Sequence, residues 1–177
     1  MVTRLILGVV LLLLTLTPYA QQPPAAWTSW RWLLGDWVGE GGGQPGEGSG
    51  WFSFHPDLQG KVLVRRNQAN YPHSEDRPAY THDDLMVVYV DPATKSTRAD
   101  YFDNEGHVIR YAVTVSDDGK TFIFLSPSDP AGPRYRLSYH ILGADNLSLK
   151  FEIAPPGSPN QFATYIEAKA RRKPGAH

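Results

Sequence analysis

Residues 108–125 read VIRYAVTVSDDGKTFIFL and contain the pattern that decides the fold. In the first half, Ile109, Tyr111 and Val113 alternate with polar or small residues, which is typical of a β-strand with one buried face. The Asp-Asp-Gly turn at 117–119 supplies residues that tolerate the positive φ of a tight hairpin. The stretch therefore predicts two antiparallel strands joined by a short turn.

The same unit of strand and turn repeats along the chain at a spacing of roughly 10 residues, which favours a sandwich or an up-and-down barrel. No segment has the sustained helical periodicity that a crossover helix needs, so a parallel sheet is disfavoured. We predict an all-β fold, a single antiparallel up-and-down β-barrel of about ten strands, with a short helical turn at Trp30–Leu34 before the first strand. The predicted strands are Trp37–Gly42, Gly50–Phe54, Val62–Gln68, Asp84–Val90, Thr97–Phe102, Val108–Val115, Thr121–Leu125, Arg134–His140, Leu147–Ile153 and Phe162–Ala170.

Composition narrows the classes of function. The 17 basic and 18 acidic residues give a net charge of −1, so no long-range field attracts nucleic acid. The absence of cysteine excludes disulfides, thiolate metal sites and thiol nucleophiles. Aromatic residues make up 12% of the chain and suit a β-sheet core.

The N-terminal segment is typical of a secretory signal. A short basic start, an apolar run at Leu5–Leu16 and a break that ends at Ala20 predict export to the periplasm or the exterior. The apolar run is shorter than the roughly 20 residues that span a bilayer, so no stable membrane insertion is expected after cleavage. The predicted divisions are a signal at 1–20, a linker rich in Gln, Pro and Ala at 21–29, the barrel at 30–173 and a disordered tail at 174–177.

Gly35, Asp36 and Trp37, together with Arg171 and Arg172, resemble the signature of the calycin superfamily, which includes lipocalins and fatty-acid-binding proteins. The resemblance implies that the tryptophan packs near an arginine of the last strand and closes one end of the barrel. The longer stretch from residue 34 to residue 41 is similar to nitrobindin-type and related bacterial lipocalin-like domains, which are ten-stranded barrels.

The similarity to nitrobindin implies a haem held by a histidine of a late strand. The candidate here is His140, and its phase puts it opposite Tyr135, Leu137 and Tyr139. Because those apolar side chains are expected to face inward, the phase argues against haem. We therefore expect no cofactor.

Polar residues in the inward phase of apolar strands are the candidates for binding, because a buried polar group is costly unless it is paired. Asp103 and His107 flank one hairpin and would bring an acid and an imidazole together at its rim. The alternative is that Asp103 caps the turn and His107 is solvent-exposed. Arg136 becomes an anchor for a carboxylate if its strand is inverted. The predicted ligand-binding residues are Arg66, Tyr101, Asp103, His107, Tyr111 and Arg136.

A metal site has less support. Residues 81–84, with Asp103 and His107, could supply oxygen and nitrogen ligands, but no known spacing motif is present. A solvated start of a strand is the alternative reading, and we expect no metal.

These observations favour an exported calycin-like protein that binds a small, mainly apolar ligand with a polar or anionic end inside the barrel. Two alternatives stay open. One is a small barrel hydrolase or isomerase that uses Asp103 and His107. The other is an envelope interaction module with a solid barrel and an exposed anchor formed by Trp27, Trp30 and Trp32. Nothing in the sequence indicates an oligomeric state.

Overall fold

A computed structural model describes residues 25–40, 49–74 and 78–174, and ten strands form within these ranges. Each strand pairs antiparallel with the next along the chain, and the last pairs with the first, so the sheet closes into a barrel. This confirms the predicted fold class. The strands are β1 (Gly35–Glu40), β2 (Ser49–Asp57), β3 (Val62–Tyr71), β4 (Tyr80–Val90), β5 (Thr97–Asp103), β6 (Val108–Val115), β7 (Thr121–Leu125), β8 (Arg134–Ile141), β9 (Asn146–Ala154) and β10 (Ala163–Arg172).

The largest difference from the predicted bounds is in the hairpin of β3 and β4. β4 begins at Tyr80 rather than Asp84, and β3 continues to Tyr71 rather than ending at Gln68. Tyr71 lies opposite Tyr80, and their rings stack with centroids 4.5 Å apart. This cross-strand aromatic pair supports the longer ladder.

Arg172 closes the seam between β1 and β10. It lies opposite Trp37, with its guanidinium carbon 4.3 Å from the indole centroid, and its Nη1 donates to the Leu34 carbonyl at 2.7 Å. Gly35 has a φ of 108°, which residues with a side chain rarely adopt. A Cβ at this position would also lie only 2.9 Å from Nη1 of Arg172, so both the backbone conformation and the available space favour glycine. Arg171 is exposed and does not take this place.

The lower end of the barrel, where β1 begins and β10 ends, is filled by aromatic rings. The 3₁₀ helix Ala25–Trp30 covers it, and the indole N–H of Trp27 donates to the Gly60 carbonyl at 2.9 Å. Trp30 lies 5.1 Å from Phe122 between ring centroids. The interior above it is packed by Leu33, Phe54, Leu63, Met86, Val88, Phe122, Phe124 and Tyr139, all buried. We call this cluster, with Trp27 and Trp30, the aromatic plug.

The plug corrects two predictions from the sequence. Residues 25–29 are not a linker outside the fold, and Trp27 and Trp30 are not an exposed anchor, since they are only 1% and 2% exposed. Two indole rings that seal the barrel remove a large apolar area from water, whereas the same rings in an exposed anchor would leave that area in contact with water. Trp32 is partly buried against the same core.

Several predictions from the sequence lie outside the described residues, namely the signal at 1–20, residues 21–24 of the linker, residues 41–42 of the first strand and residues 175–177 of the tail. Among the helices of the described ranges, none has the length and apolar character needed to cross a bilayer.

Candidate functional site

The upper half of the barrel, towards the end where β5 meets β6, encloses a cavity of about 420 Å³. This volume falls in the range of roughly 300–1,000 Å³ that is typical of small-molecule sites. One wall is apolar and is formed mainly from β6, β8, β9 and β10, with Ile109, Leu137, Leu149, Phe151, Ile153 and Ile166. The other wall is polar and is formed from β3, β4, β5 and the turn after it, with Arg65, Asn67, His82, Asp84, Tyr101, Asp103, Glu105 and His107.

A buried ion pair lies at the base of the polar wall. Nη1 of Arg65 donates to Asp84, and the two side chains are only 7% and 4% exposed. Asn67 donates to the second oxygen of Asp84 at 3.0 Å. Burial lowers the pKa of Arg65, but the Asp84 carboxylate and the hydroxyls of Tyr139 and Tyr101 outweigh it and raise the pKa above its ordinary value. Arg65 is therefore a fixed cation.

His82 connects this ion pair to the rim of the cavity. Its Nδ1 lies 2.9 Å from Oε1 of Glu105, and its Nε2 lies 3.1 Å from the hydroxyl of Tyr101 and 3.5 Å from Asp84. The contact with Asp84, against the opposing effect of burial and with help from Glu105, raises the pKa of His82 to about 9. At neutral pH the ring is consequently a second cation of the polar wall.

The chain of contacts ends at the hairpin between β5 and β6. Tyr101 donates to Oδ2 of Asp103 at 3.2 Å, and Nδ1 of His107 lies 2.9 Å from the same oxygen. Oδ1 of Asp103 accepts from the backbone N–H groups of Glu105 and His107 at 3.0 and 2.8 Å. Burial opposes ionisation of Asp103, but the hydrogen bonds from His107 and Glu105 bring its pKa below its ordinary value.

The sequence left two interpretations of this hairpin open, an acid and an imidazole in contact or a capped turn with an exposed histidine, and the structure has features of both. Asp103 caps the turn, as the structural alternative expects, and it also lies within hydrogen-bonding distance of the His107 ring. The His107 side chain is 57% exposed at the rim.

The cavity brings together some of the residues predicted from the sequence, and others lie outside it. Arg66 is exposed, because β3 has the opposite phase to the one predicted and buries Leu63 and Arg65 instead. Arg136 lies on the outer face, where its Nε and Nη2 donate to Glu152 at 2.7 and 2.8 Å. The predicted residues that line the cavity are Tyr101, Asp103, His107 and Tyr111.

Arg65, Asp84 and His82 form the centre of the polar wall. Sequence reasoning missed Arg65 and considered residues 81–84 only as possible metal ligands at the start of a strand. Val62 to Val64 are all apolar, so alternation alone gives β3 no phase. The phase is set by pairing with β2, where Arg65 lies opposite the buried Phe54. The sequence did contain a usable signal. Phe52 and Phe54 indicate which face of β2 is buried, and extending that assignment across the short hairpin to β3 would have placed Arg65 on the buried face.

Two kinds of group can be tested against these residues. His82, Asp103 and Glu105 each offer one ligand atom, and these atoms lie within 4.8 Å of one another, so they could hold a metal ion. A haem held by a late-strand histidine does not fit, because His140 is exposed on the outer face, with Nδ1 3.3 Å from Oγ1 of Thr121.

The sequence matches no protein-family model and no curated protein at a significant level. The closed barrel of ten antiparallel strands is consistent with a calycin-like barrel. The chemistry of the cavity follows from its own residues: it can surround an apolar body and offer charged and hydroxyl groups to one polar end.

The pKa of His82 predicts how stability depends on pH. Its folded-state pKa, about 9, is raised above the ordinary 6.5, so its contribution is complete below pH 6.5 and is lost as the pH rises to 9. We expect the free energy of unfolding to fall over this window more steeply in the native chain than in His82→Gln. Urea denaturation at several pH values with a chelator present measures this, and parallel pH profiles would contradict it.

Proposed function

We propose that the protein is an exported, calycin-like binding protein that holds a small, mainly apolar ligand in the upper half of the barrel. The observation that carries the proposal is the division of the interior into a solid lower half and a cavity of about 420 Å³ above it. Closely packed interiors rarely leave such a space unless it has a use, since voids cost stability.

The two walls of the cavity suggest how the ligand is oriented. Leu149, Phe151 and Leu137 offer apolar contact area on one wall, and Tyr101 lines the cavity on the polar wall. An apolar body would pack on the first wall and a polar or anionic end would hydrogen-bond to the second. Arg65 and His82 contact carboxylates, and the Tyr101 hydroxyl donates to Asp103, so a polar end would join this existing network of hydrogen bonds.

The proposal predicts that filling the cavity abolishes binding. Ala168 lines the cavity, so Ala168→Phe is expected to weaken binding of the apolar fluorescent probe N-phenyl-1-naphthylamine about tenfold or more. Fluorescence titration of the purified full chain measures the affinity. Ala112→Phe places the same ring on the exposed outer face of β6 and serves as the matched control.

The native chain should bind one equivalent of probe saturably, and Ala112→Phe should bind it equally well. Absence of saturable binding by the native chain, or equal loss in both variants, would refute a ligand-binding cavity. Mass spectrometry of the protein purified from its own host would identify the natural occupant.

A second candidate function, a small barrel enzyme, is favoured by one observation. Oδ2 of Asp103 lies 2.9 Å from Nδ1 of His107 at the rim, an arrangement that can orient an imidazole for general acid or base work. If this candidate holds, incubation changes the mass of the bound molecule, and His107→Ala retains affinity but loses the conversion. An unchanged ligand after prolonged incubation would leave binding as the function.

A further inference from the structure

We propose that His82, Asp103 and Glu105 form a binding site for one divalent transition-metal ion of the zinc type at the rim of the cavity. The three residues come from β4, from the end of β5 and from the turn that follows it. Each offers one ligand atom, and all three atoms lie within 4.8 Å of one another. The three residues belong to the polar wall of the cavity, but the binding of the ion does not require that the cavity hold a ligand.

The spacing of the donor atoms is close to that of a bound ion. Zinc lies about 2.0–2.2 Å from nitrogen and carboxylate ligands, which places adjacent ligand atoms roughly 3–3.5 Å apart. The Glu105 side chain is 49% exposed in a hairpin turn, so it can move inward. Asp103, at 4% exposure, and His82, at 21%, are already held in place. Nδ1 of His82 already lies 2.9 Å from Oε1 of Glu105, and the ligand atoms of all three residues lie within 4.8 Å of one another, so a small adjustment of side chains would bring them around one ion.

The surroundings of the donors resemble the outer contacts that orient metal ligands. Metal-binding histidines usually present their second ring nitrogen to a carboxylate or another polar group. In this barrel Nε2 of His82 lies 3.5 Å from Asp84, and Asp84 is itself fixed by Arg65 and Asn67. This leaves Nδ1, on the Glu105 side, as the nitrogen for the ion, and the ion would displace the proton that this nitrogen carries in the metal-free protein.

Asp103 is oriented in the same way. Its Oδ1 accepts two backbone N–H groups, from Glu105 and His107, and its Oδ2 lies at the rim in contact with the Tyr101 hydroxyl and with Nδ1 of His107. Backbone donors hold a carboxylate without neutralising it, because they carry no net charge. The ion would thus meet a preoriented anionic oxygen.

The donor types indicate the class of cation. Mg²⁺ and Ca²⁺ prefer all-oxygen ligands, whereas an imidazole nitrogen suits zinc, copper, iron or nickel ions. Three protein ligands leave at least one coordination position free, and the cavity adjoins the site through Tyr101 and His107. The free position would face either water or the polar end of a bound molecule.

Isothermal titration of ZnCl₂ into the chelator-treated full chain tests the proposal. We expect one zinc ion per chain, with affinity for Mg²⁺ at least about 100-fold weaker. Glu105→Gln is expected to weaken zinc binding at least about tenfold, because removal of a ligand should cost no less than removal of an outer contact. Circular dichroism confirms that each variant is folded.

Asp83→Asn is the matched control, since Asp83 is the exposed neighbour of His82 on the outer face of β4. It should bind zinc like the native chain. Zinc binding that is equally strong in Glu105→Gln would locate the ion on other histidines and overturn the proposal, as would no binding at millimolar zinc. Probe binding by the metal-free protein is measured separately, so failure of this site is distinguishable from failure of the ligand cavity.

Discussion

Trp30→Ala is expected to lower the free energy of unfolding by about 3–5 kcal/mol, the usual cost of deleting a large buried aromatic side chain. Trp30 is 2% exposed, and its ring centroid lies 5.1 Å from that of Phe122 and 5.7 Å from that of Trp27. The short segment around it cannot collapse to fill the space, because the barrel wall is fixed by hydrogen bonds on every side. Urea denaturation followed by far-ultraviolet circular dichroism measures the loss.

Trp51→Ala is the matched control, because that indole is 41% exposed at the upper end. It should cost no more than about 1 kcal/mol. If both substitutions cost the same, the 3₁₀ helix does not seal the lower end as described.

Arg65→Met is expected to destabilise the protein by about 3–5 kcal/mol, since it removes the cation that donates to the buried Asp84 carboxylate and leaves only Asn67 and His82 in contact with it. The Asp84 side chain is 4% exposed, so its carboxylate stays largely shielded from water after the guanidinium is removed. Arg66→Met, one residue later on the exposed face of β3, should change stability by no more than about 0.5 kcal/mol. The comparison uses two adjacent arginines and the same denaturation measurement.

The double variant Arg65→Met with Asp84→Leu separates the two contributions. Replacing a buried ion pair by apolar side chains is often neutral, so we expect the double variant to be more stable than Arg65→Met alone. A double variant that is as unstable as the sum of both single losses would show that the two charges do not act as a pair.

The closed barrel could be predicted from the sequence because its signals are local. Alternation in β6 buries Ile109, Tyr111 and Val113 as expected, and the Asp-Asp-Gly turn at 117–119 joins β6 to β7. The resemblance to calycins predicted that Arg171 or Arg172 lies beside Trp37, and the structure places Arg172 there, close to Gly35. Each of these features depends on a few neighbouring residues or on one short motif.

Tyr101, Asp103 and His107 of the polar wall were predicted, but the contacts at its centre could not be, because they depend on the register between strands. Asn67 reaches Asp84 because the two lie opposite each other on β3 and β4. Glu105 reaches His82 across a separation of 23 residues. Alternation assigns faces but not partners, so neither contact has a signature in the chain. Trp27 was missed for another reason: the Gln, Pro and Ala before it are typical of a linker.

The aromatic plug closes the lower end of the barrel, so the cavity does not continue through it. A ligand cannot pass through the plug. Each methylene added to the ligand therefore improves its binding free energy by about 0.8 kcal/mol only while that methylene is buried against the apolar wall. Once the cavity of about 420 Å³ is full, a longer ligand must protrude at the rim, and its additional methylenes add no binding free energy. Under the proposed function, affinity along a series of ligands of increasing chain length would therefore rise and then level off. The barrel would in this way discriminate between ligands by their length.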